Sequence, residues 1–274
     1  MNTSPSPTLK NLRVIGQHVR RKEDVRLLTG RGRFTDDFSE ANQVFAVIVR
    51  SPHAHAVIQS IDAARAHAMP GVLGVYSGED MKGLGEIAHD PLPKTKFDLK
   101  LHAPGGSVGD PVFLGAHTLL PTDKVRYVGE AVAMVVAETK AQADDAAEAV
   151  DIAYAPLPAV TATAEAAKPD APRLWDEISD NVAIETFFGD PVATDAAFAK
   201  ADYKVDMSFN IGRVTGVPME PRSALAVHDP ASNQTTLYAG SGGVVRQKRE
   251  IATVLCDDPE TIRVVAYDVG GNFG

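Results

Sequence analysis

A glycine-rich turn followed by a basic helix is the strongest chemical signal in the sequence. Gly240-Ser241-Gly242-Gly243 precedes a predicted helix over residues 244–255, whose first half carries Arg246, Lys248 and Arg249. A helix N-terminus exposes unpaired amide groups and a partial positive charge, and cations near it oppose the helix dipole unless an anion binds there. The pattern predicts a cradle for a phosphate or pyrophosphate. The alternative is a plain strand-to-helix connection with a solvated basic face.

The common nucleotide-binding motifs do not account for this turn. The third glycine of a G-x-G-x-x-G fingerprint would fall on Val245. The acidic residues that follow, Asp257, Asp258 and Glu260, precede the next predicted strand instead of ending it. No G-x-x-x-x-G-K-[ST] pattern occurs. The sequence therefore disfavours both a Rossmann and a P-loop site.

A second glycine-rich turn, Val269-Gly270-Gly271-Asn272-Phe273-Gly274, follows directly on a predicted strand at the end of the sequence. It would bring backbone amides and an aromatic ring against a flat ligand, and a tight turn without a ligand is the alternative. Because such turns normally lead into another element, we expect the sequence to be truncated.

Two further groups of reactive side chains have structural interpretations. His53 and His55 would share a face of an extended chain, as two metal ligands do, but no third ligand stands at a recognisable spacing. Packing histidines at a strand end are expected instead. Glu220 and Arg222 flank a proline, which favours a structural ion pair over an acid–base catalyst. We predict no catalytic residue and no metal ligand in this chain.

The composition excludes several classes of protein. A chain of 274 residues with 44% hydrophobic and 23% charged residues can bury one large core or two ordinary ones. The net charge of -9 disfavours a nucleic-acid-binding surface, and the single cysteine excludes an intrachain disulfide or a cysteine-held iron–sulfur cluster. Since neither a secretory signal nor an apolar run of about 20 residues is visible, we expect a cytoplasmic protein without a membrane span.

Hydrophobic patterns predict an α+β fold in two units. The expected divisions are an N-terminal extension (1–28), a first unit (29–157), a linker (158–181) and a second unit (182–274). In the first unit we predict strands over 44–49, 72–76, 125–137 (with a bend or bulge at Gly129-Glu130) and 151–154. We also predict a brief helix capped by Ser60 or Asp62 and ending at Met69, a helix over 139–150 begun by a Thr139/Gln142 capping box, and a long loop over 82–122. In the second unit we predict strands over 203–209, 224–228, 235–239 and 262–267 around the basic helix.

Six motifs occur in an order and at spacings that are characteristic of one enzyme family. They are Gly30–Asp37, Arg50–Ala56, Pro70-Gly71-Val72, Val128–Ala133, Met219–Arg222 and Asp268–Gly274. Together they resemble the N-terminal part of the molybdopterin-binding large subunit of the xanthine dehydrogenase / aldehyde oxidase / aerobic carbon monoxide dehydrogenase family. The resemblance covers the chain from about residue 14 onward.

The resemblance implies a fold and a cofactor site. An a/b hammerhead domain would occupy 29–157, and an incomplete first molybdenum-cofactor-binding domain would begin near residue 182. The implied cofactor contacts are Ser241, Gly242, Gly243, Gly270, Gly271, Asn272, Phe273 and Gly274. Because the family commonly carries glutamine at the position of Gly242, the resemblance also implies the loss of one side-chain hydrogen bond near the molybdenum.

By the same resemblance, the chain is a component of a molybdenum-cofactor-dependent hydroxylase or dehydrogenase and is inactive alone, since the family's catalytic glutamate has no match here. The implied cofactor is molybdenum–molybdopterin of the dinucleotide type, with 2Fe–2S clusters and FAD on partner subunits or domains. The implied partners are the remainder of the large subunit, an iron–sulfur subunit and an FAD-binding subunit, in a dimer of complexes. Carbon monoxide, aldehydes, purines and N-heterocycles remain open as substrates. The alternative is a non-catalytic docking or assembly module that retains the hammerhead domain.

Overall fold

The computed structural model describes residues 18–87, 100–102, 113–187 and 189–273. Within those ranges no helix has the length and apolar character that a membrane crossing requires. The strands are β1 (Phe45–Arg50), β2 (Ala56–Asp62), β3 (Val72–Ser77), β4 (Lys100–His102), β5 (Lys124–Val125), β6 (Ala131–Ala137), β7 (Asp151–Pro156), β8 (Glu185–Phe187), β9 (Ala224–Asp229), β10 (Gln234–Ala239) and β11 (Ile262–Val265). The α-helices are α1 (Asp24–Leu28), α2 (Ala64–His67), α3 (Lys140–Glu148), α4 (Thr163–Ala166), α5 (Pro191–Lys200) and α6 (Val244–Leu255), and 3₁₀ turns form at Thr35–Asp37, Gly78–Met81 and Pro259–Thr261.

Strand β6 is the centre of the first unit. It pairs antiparallel with β1 on one side and with β3 on the other. Val135, on one face of β6, is fully buried against Ala66 of α2 and Ala146 of α3. Val132, on the other face, is fully buried against Ala56 and Val125 of the second sheet, whose order is β5-β2-β7. Because successive side chains of a strand point to opposite faces, one strand supplies both cores.

The predicted single strand over 125–137 is wrong, because this stretch divides between two sheets. Gly129 has φ +88°, which lets the chain turn between β5 and β6. The turn is fixed from a distant part of the sequence: Gly129 N–H donates to Ser51 O, and Ser51 N–H donates to Glu130 O, both at 2.8 Å. The Gly129-Glu130 interruption is therefore a crossing between sheets and not a bulge.

Capping side chains mark where two helices of the first unit begin. Thr139 Oγ1 accepts a hydrogen bond from Gln142 N–H at 3.3 Å, so the predicted capping residue is confirmed, although α3 ends two positions before the predicted Val150. The predicted helix that ends at Met69 is shorter in the structure, where α2 spans Ala64–His67. Residues up to Asp62 remain in β2, paired with β7, and Asp62 Oδ1 then accepts from Ala64 N–H at 2.9 Å at the start of α2.

The second unit contains a three-stranded sheet of order β11-β10-β9. β9 and β10 form an antiparallel hairpin, and β10 and β11 are parallel. Parallel neighbours need a crossover connection, which α6 provides. Its bounds are those that the sequence predicts, and the helix packs on β11. This order places the turn before α6 and the segment after β11 at the same edge of the sheet.

Three further predicted segments differ from the structure. No strand forms over the predicted 203–209, where every residue is exposed. A strand at this place would lack a partner in the described part of the chain, and an unpaired strand has no hydrogen-bond ladder to stabilise it. The predicted loop over 82–122 is described only in part, and it contains β4, which pairs with β8. The predicted linker 158–181 contains α4 and the single tryptophan, Trp175, and the domain boundaries themselves stay predictions.

We expect Thr139→Ala to destabilise the first unit by about 1 kcal/mol, because Gln142 N–H loses its capping acceptor. Urea unfolding followed by circular dichroism measures the change. Thr139→Ser is the matched control, since it keeps a hydroxyl oxygen at the cap. An equal loss of stability in both variants would show that the hydroxyl does not act as a cap.

Candidate functional site

The two predicted glycine-rich turns line one cavity. Its volume is about 530 Å³, and it lies at the edge of the β9–β11 sheet. Ser241 and Gly242 line it from the first turn, and Gly271, Asn272 and Phe273 line it from the second. Gly274, also predicted as a contact, lies outside the described residues. The structure therefore brings together two sequence segments that the motifs had only suggested separately.

The first turn leaves the start of α6 open. Ser241 Oγ accepts from Gly243 N–H at 3.1 Å, which holds the turn closed on itself. Gly243 is the N-cap residue and offers no side-chain acceptor. The first helical hydrogen bond runs from Gln247 N–H to Gly243 O at 3.0 Å, so the amides of residues 244–246 have no acceptor within the helix. These amides carry the positive end of the helix dipole.

The cations of α6 do not face the cavity. Arg246 pairs with Glu250 at 2.6 Å, and Lys248 pairs with Glu260 at 3.1 Å. Neither cation is among the residues that line the cavity, whereas Arg222 is. For Arg246 and Lys248, two of the three cations in the prediction, neighbouring carboxylates therefore relieve the conflict with the helix dipole without a bound anion. The cavity's own guanidinium comes from the loop before β9.

The second turn needs glycine because two backbones pass close together. A Cβ built on Gly270 would lie 2.3 Å from Glu220 Cβ and 3.1 Å from Glu220 N. Gly271 has φ +142°, and its Cβ would lie 2.9 Å from Pro218 Cβ. Phe273 packs against Gly216 in the same way, at 2.9 Å between Phe273 Cβ and the position of an added Cβ. The second turn thus packs directly against the loop before β9.

The two turns approach each other most closely at Gly242 and Asn272. A Cβ built on Gly242 would lie 1.9 Å from Asn272 Nδ2. The space beside Gly242 is therefore filled by the carboxamide of Asn272. The position at which the resemblance implies a missing glutamine is not an empty one in this chain.

The carboxylate of Glu220 joins three segments. Its Oε1 accepts from Thr35 N–H at 3.1 Å, and its Oε2 accepts from Gly270 N–H at 2.6 Å. Glu220 N–H in turn donates to Gly270 O at 3.4 Å. The ion pair that the sequence predicts with Arg222 is therefore wrong: the half-buried carboxylate binds two amides that lie far away in sequence, which no local pattern indicates. The carboxylate thereby holds the three segments together.

Asp268 fixes the start of the second turn to the first unit. Its carboxylate forms a bidentate pair with Arg26, with 2.6 Å between Arg26 Nη2 and Asp268 Oδ1. It also accepts from Arg33 N–H at 2.7 Å, and Asp268 N–H donates to Arg33 O at 3.0 Å. The Arg26 guanidinium, followed by the Arg33 amide, lowers the pKa of Asp268 from 3.8 to about 2.

Aromatic rings extend this junction. Phe38 stacks on Tyr238 of β10 with ring centroids 4.9 Å apart, and Tyr267 lies 4.8 Å from Phe38. The guanidinium of Arg33 lies over the Phe38 ring, 4.2 Å from its centroid. The segment before β1 is thus held to the β9–β11 sheet by hydrogen bonds, charge and ring stacking together.

Sequence reasoning missed two polar residues of the cavity, Ser223 and Gln247. Both line it, and Ser223 Oγ and Gln247 Oε1 are buried without a hydrogen-bond partner among the described residues. A buried polar atom without a partner is costly, so a ligand that pairs with both atoms would be stabilised. The only signal in the sequence is that Gln247 is an uncharged polar residue between Arg246 and Lys248.

The two histidines are used in packing. His55 Nδ1 lies 3.0 Å from Pro158 O, and the His53 ring meets Tyr154 edge-on with centroids 5.0 Å apart. In the described ranges no three histidine, cysteine or acidic side chains come together as a group that could hold a metal ion.

Two domain families match the chain. Residues 29–158 match the aldehyde oxidase and xanthine dehydrogenase a/b hammerhead domain, and residues 174–274 match the molybdopterin cofactor-binding domain. The expectation of a hammerhead unit followed by a cofactor-binding unit is therefore confirmed. The chain belongs to the family of molybdopterin-binding subunits that includes xanthine dehydrogenase, aldehyde oxidase and aerobic carbon monoxide dehydrogenase.

Individual relatives agree with this assignment. The chain is 36% identical over 261 residues to the 6-hydroxypseudooxynicotine dehydrogenase complex subunit gamma of Paenarthrobacter nicotinovorans. This alignment covers 95% of this chain and 31% of that protein. It is 32% identical over 291 residues to the carbon monoxide dehydrogenase large chain of Afipia carboxidovorans, covering 100% of this chain and 33% of that one. The crystal structure of quinoline 2-oxidoreductase from Pseudomonas putida 86 superposes with a TM-score of 0.79 at 34% identity, covering 95% of this chain and 31% of that one. The chain spans about a third of the length of the curated relatives it matches.

We expect Gly270→Ala to cost roughly 1–3 kcal/mol, because the new Cβ would collide with the backbone and Cβ of Glu220. Gly243→Ala is the matched control: its added Cβ meets nothing closer than 3.9 Å, and its φ of -169° suits any residue. Urea unfolding of the two variants measures the difference. Equal stability of the two would contradict the close approach.

We expect the carboxyl group of Asp268 to titrate near pH 2, measured by the NMR shift of its side-chain carbonyl carbon. Since the pKa is lower in the folded chain than its ordinary 3.8, the stabilisation is complete above pH 3.8 and is lost as the pH falls toward 2. Arg26→Gln should return the midpoint toward 3.8. Arg21→Gln, which removes a cation paired with Asp24, should leave it unchanged; a shift in that variant would mean that general charge, not the Arg26 contact, sets the pKa.

Proposed function

We propose that this chain supplies the cofactor-binding turns of a molybdenum-cofactor-dependent oxidoreductase. The observation that carries the proposal is the cavity of about 530 Å³, which Ser241 and Gly242 line from one turn and Gly271, Asn272 and Phe273 from the other. Gly243 and Gly270, also predicted as contacts, are not in its lining. The family assignment gives the class of cofactor, because residues 174–274 match a molybdopterin cofactor-binding domain.

The polar groups of the cavity suit a pterin-linked cofactor with an anionic group. Such a ligand carries many hydrogen-bond donors and acceptors, and Ser223 Oγ and Gln247 Oε1 are buried polar atoms that need partners. The guanidinium of Arg222, which lines the cavity, suits the phosphates of a dinucleotide form of the cofactor. The glycines of both turns let the main chain come close to the ligand.

Each group has a defined task in this proposal. Gln247 Oε1 accepts from the pterin, and Ser223 Oγ donates to it or accepts from it. Asn272 occupies the space beside Gly242, and Phe273 covers one wall of the cavity. The cofactor supplies the two-electron chemistry when bound, while these residues bind it, orient it and exclude water. No side chain of this chain is assigned as catalytic acid or base.

The whole enzyme requires more polypeptide than this chain. The relatives are named as a subunit gamma of a dehydrogenase complex and as a large chain, so subunits assemble in those proteins. We propose the same for this chain: the remainder of the large subunit, an iron–sulfur subunit and an FAD-binding subunit, with two such complexes in a dimer. We also propose a cytoplasmic location for the assembled protein.

Metal analysis of the assembled protein tests the proposal. We expect molybdenum and pterin to co-purify with the chain when it is expressed together with the rest of its large subunit. We expect Phe273→Ala to lower molybdenum occupancy about tenfold at limiting cofactor, equivalent to about 1.4 kcal/mol of binding, while the circular dichroism of the first unit is unchanged. Full molybdenum in this variant would refute the assigned contact.

Phe198→Ala is the matched control, because this ring is exposed on α5 and does not line the cavity. It should bind as much molybdenum as the unaltered chain. Gln247→Leu tests the second wall: it keeps the volume of the side chain but removes the acceptor, so pterin fluorescence after release should fall with the molybdenum content. A stably folded, metal-free assembly of the unaltered chain would instead favour a docking module without a cofactor.

A further inference from the structure

One corner of the cavity includes a residue of the first unit. Thr35 lies within the segment that matches the hammerhead domain, and it lines the cavity together with Glu220 and Gly240 of the second unit. A Cβ built on Gly240 would lie 3.6 Å from Glu220 Oε2 and 3.9 Å from Thr35 Oγ1. The carboxylate and the hydroxyl therefore stand beside the same glycine, at a place where the backbone has no side chain of its own.

The hydroxyl of Thr35 has no partner in the described part of the chain. Thr35 is only 7% exposed. Its backbone N–H donates to Glu220 Oε1 at 3.1 Å, and its carbonyl accepts from Phe38 N–H at 3.3 Å, whereas its Oγ1 forms no hydrogen bond with a described residue. A buried hydroxyl without a partner costs free energy, so a ligand group that pairs with it would be stabilised.

The same corner is rich in hydrogen-bond acceptors. Glu220 Oε1 and Oε2 each accept one amide, and each carboxylate oxygen has a second lone pair. Gln247 Oε1 is a further acceptor in the lining, and the hydroxyls of Thr35 and Ser223 can accept as well. Because a carboxylate repels phosphate, the corner beside Glu220 suits an N–H donor and not an anionic group.

We propose that Thr35 is a cofactor-binding residue contributed by the first unit, and that its hydroxyl accepts a hydrogen bond from an N–H group of the pterin. The ring edge of a pterin carries such N–H groups. The inference rests on the proposed function, because the cofactor supplies the donor. It makes the hammerhead unit a part of the binding site itself, in addition to its contacts with the second turn.

The position of Thr35 does not depend on its hydroxyl. Arg33 N–H donates to Asp268 Oδ2 at 2.7 Å, and Phe34 N–H donates to Asp37 Oδ2 at 2.8 Å. The bond from the Thr35 amide to Glu220 also belongs to the main chain of Thr35. Removal of the hydroxyl therefore leaves the backbone and the Glu220 junction in place.

Thr35→Val tests the hydroxyl, because valine has nearly the same shape and keeps the N–H that binds Glu220. The chain is expressed together with the rest of its large subunit at limiting cofactor. We expect the variant to contain roughly three- to tenfold less molybdenum and pterin than the unaltered assembly, which is the effect of one lost hydrogen bond. Equal contents in the two assemblies would overturn the proposal.

Two further variants separate the contact from a general loss of structure. Thr35→Ser keeps the hydroxyl and should retain the cofactor. Thr122→Val is the matched control, since Thr122 is an exposed threonine of the first unit that does not line the cavity, and this variant should also load normally. A loss in either variant as large as that in Thr35→Val would contradict a specific role of the Thr35 hydroxyl.

Hydrogen–deuterium exchange of assemblies made in cells that lack the cofactor tests for an indirect effect. We expect the amides of residues 33–38 to exchange at the same rate in Thr35→Val and in the unaltered protein, because the backbone hydrogen bonds remain. Faster exchange in the variant would show that the hydroxyl holds the protein together, and the assignment to the cofactor would be lost.

The nucleotide content of the variant distinguishes two sources of the N–H donor. The base of a dinucleotide cofactor also carries N–H groups, and loss of a contact with the base would favour cofactor without the nucleotide. We expect the nucleotide released per pterin to be the same in Thr35→Val and in the unaltered assembly. A lower ratio in the variant would overturn the assignment to the pterin.

Failure of the proposed function gives a different result from failure of this inference. An unaltered assembly without molybdenum and pterin refutes the cofactor and, with it, the contact. A loaded unaltered assembly together with an equally loaded Thr35→Val variant refutes the contact alone and retains the cofactor.

Discussion

The whole site depends on one carboxylate that binds two main-chain amides. Glu220 accepts from Thr35 in the first unit and from Gly270 in the turn at the end of the described chain. A carboxylate reaches only about 3 Å to each donor, so the two backbones must come within one side chain's width of each other. This proximity is what requires a glycine at 270. The hammerhead unit is therefore part of the frame of the cavity and not a separate attachment to it.

Asp268 and the aromatic rings strengthen the same junction by different means. The pair with Arg26 is charged and geometrically specific, and the contacts among Phe38, Tyr238 and Tyr267 are apolar. They converge on the end of β11, from which the second turn continues. The turn is therefore held at its start by Asp268 and again at Gly270 through contacts within the protein itself.

The cavity combines one carboxylate, one guanidinium and main-chain groups. Glu220 and Arg222 line it, whereas Arg246 and Lys248 of α6 are paired with Glu250 and Glu260 outside it. Amide groups at a helix start attract anions through fixed dipoles, which are directional and need no rearrangement. A site of this type selects a ligand by shape and by the placement of its acceptors more than by total charge.

Local patterns in the sequence were sufficient for α6, the cap of α3 and the choice of the two glycine-rich turns, because caps, helical periods and turn residues act over a few positions. These local patterns failed where a residue far away in the sequence determines the local structure. Ser51 divides the predicted strand at Gly129, and the missing partner strand leaves 203–209 without a ladder. Glu220 was noticed for its neighbour Arg222, yet its partners lie 185 and 50 positions away. The burial of Gln247 Oε1 depends on packing that no helical pattern encodes.

The contact between Gly242 and Asn272 couples the side-chain volumes that these two positions can hold. The carboxamide at 272 stands where a side chain at 242 would begin, so a bulky residue can be accommodated at one of them only when the other is small. Substitutions there are expected to be strongly non-additive, since each alters the space available to the other. The amide group beside the cavity could thus be attached to either turn: on position 272, as in this chain, or on position 242 when residue 272 is small.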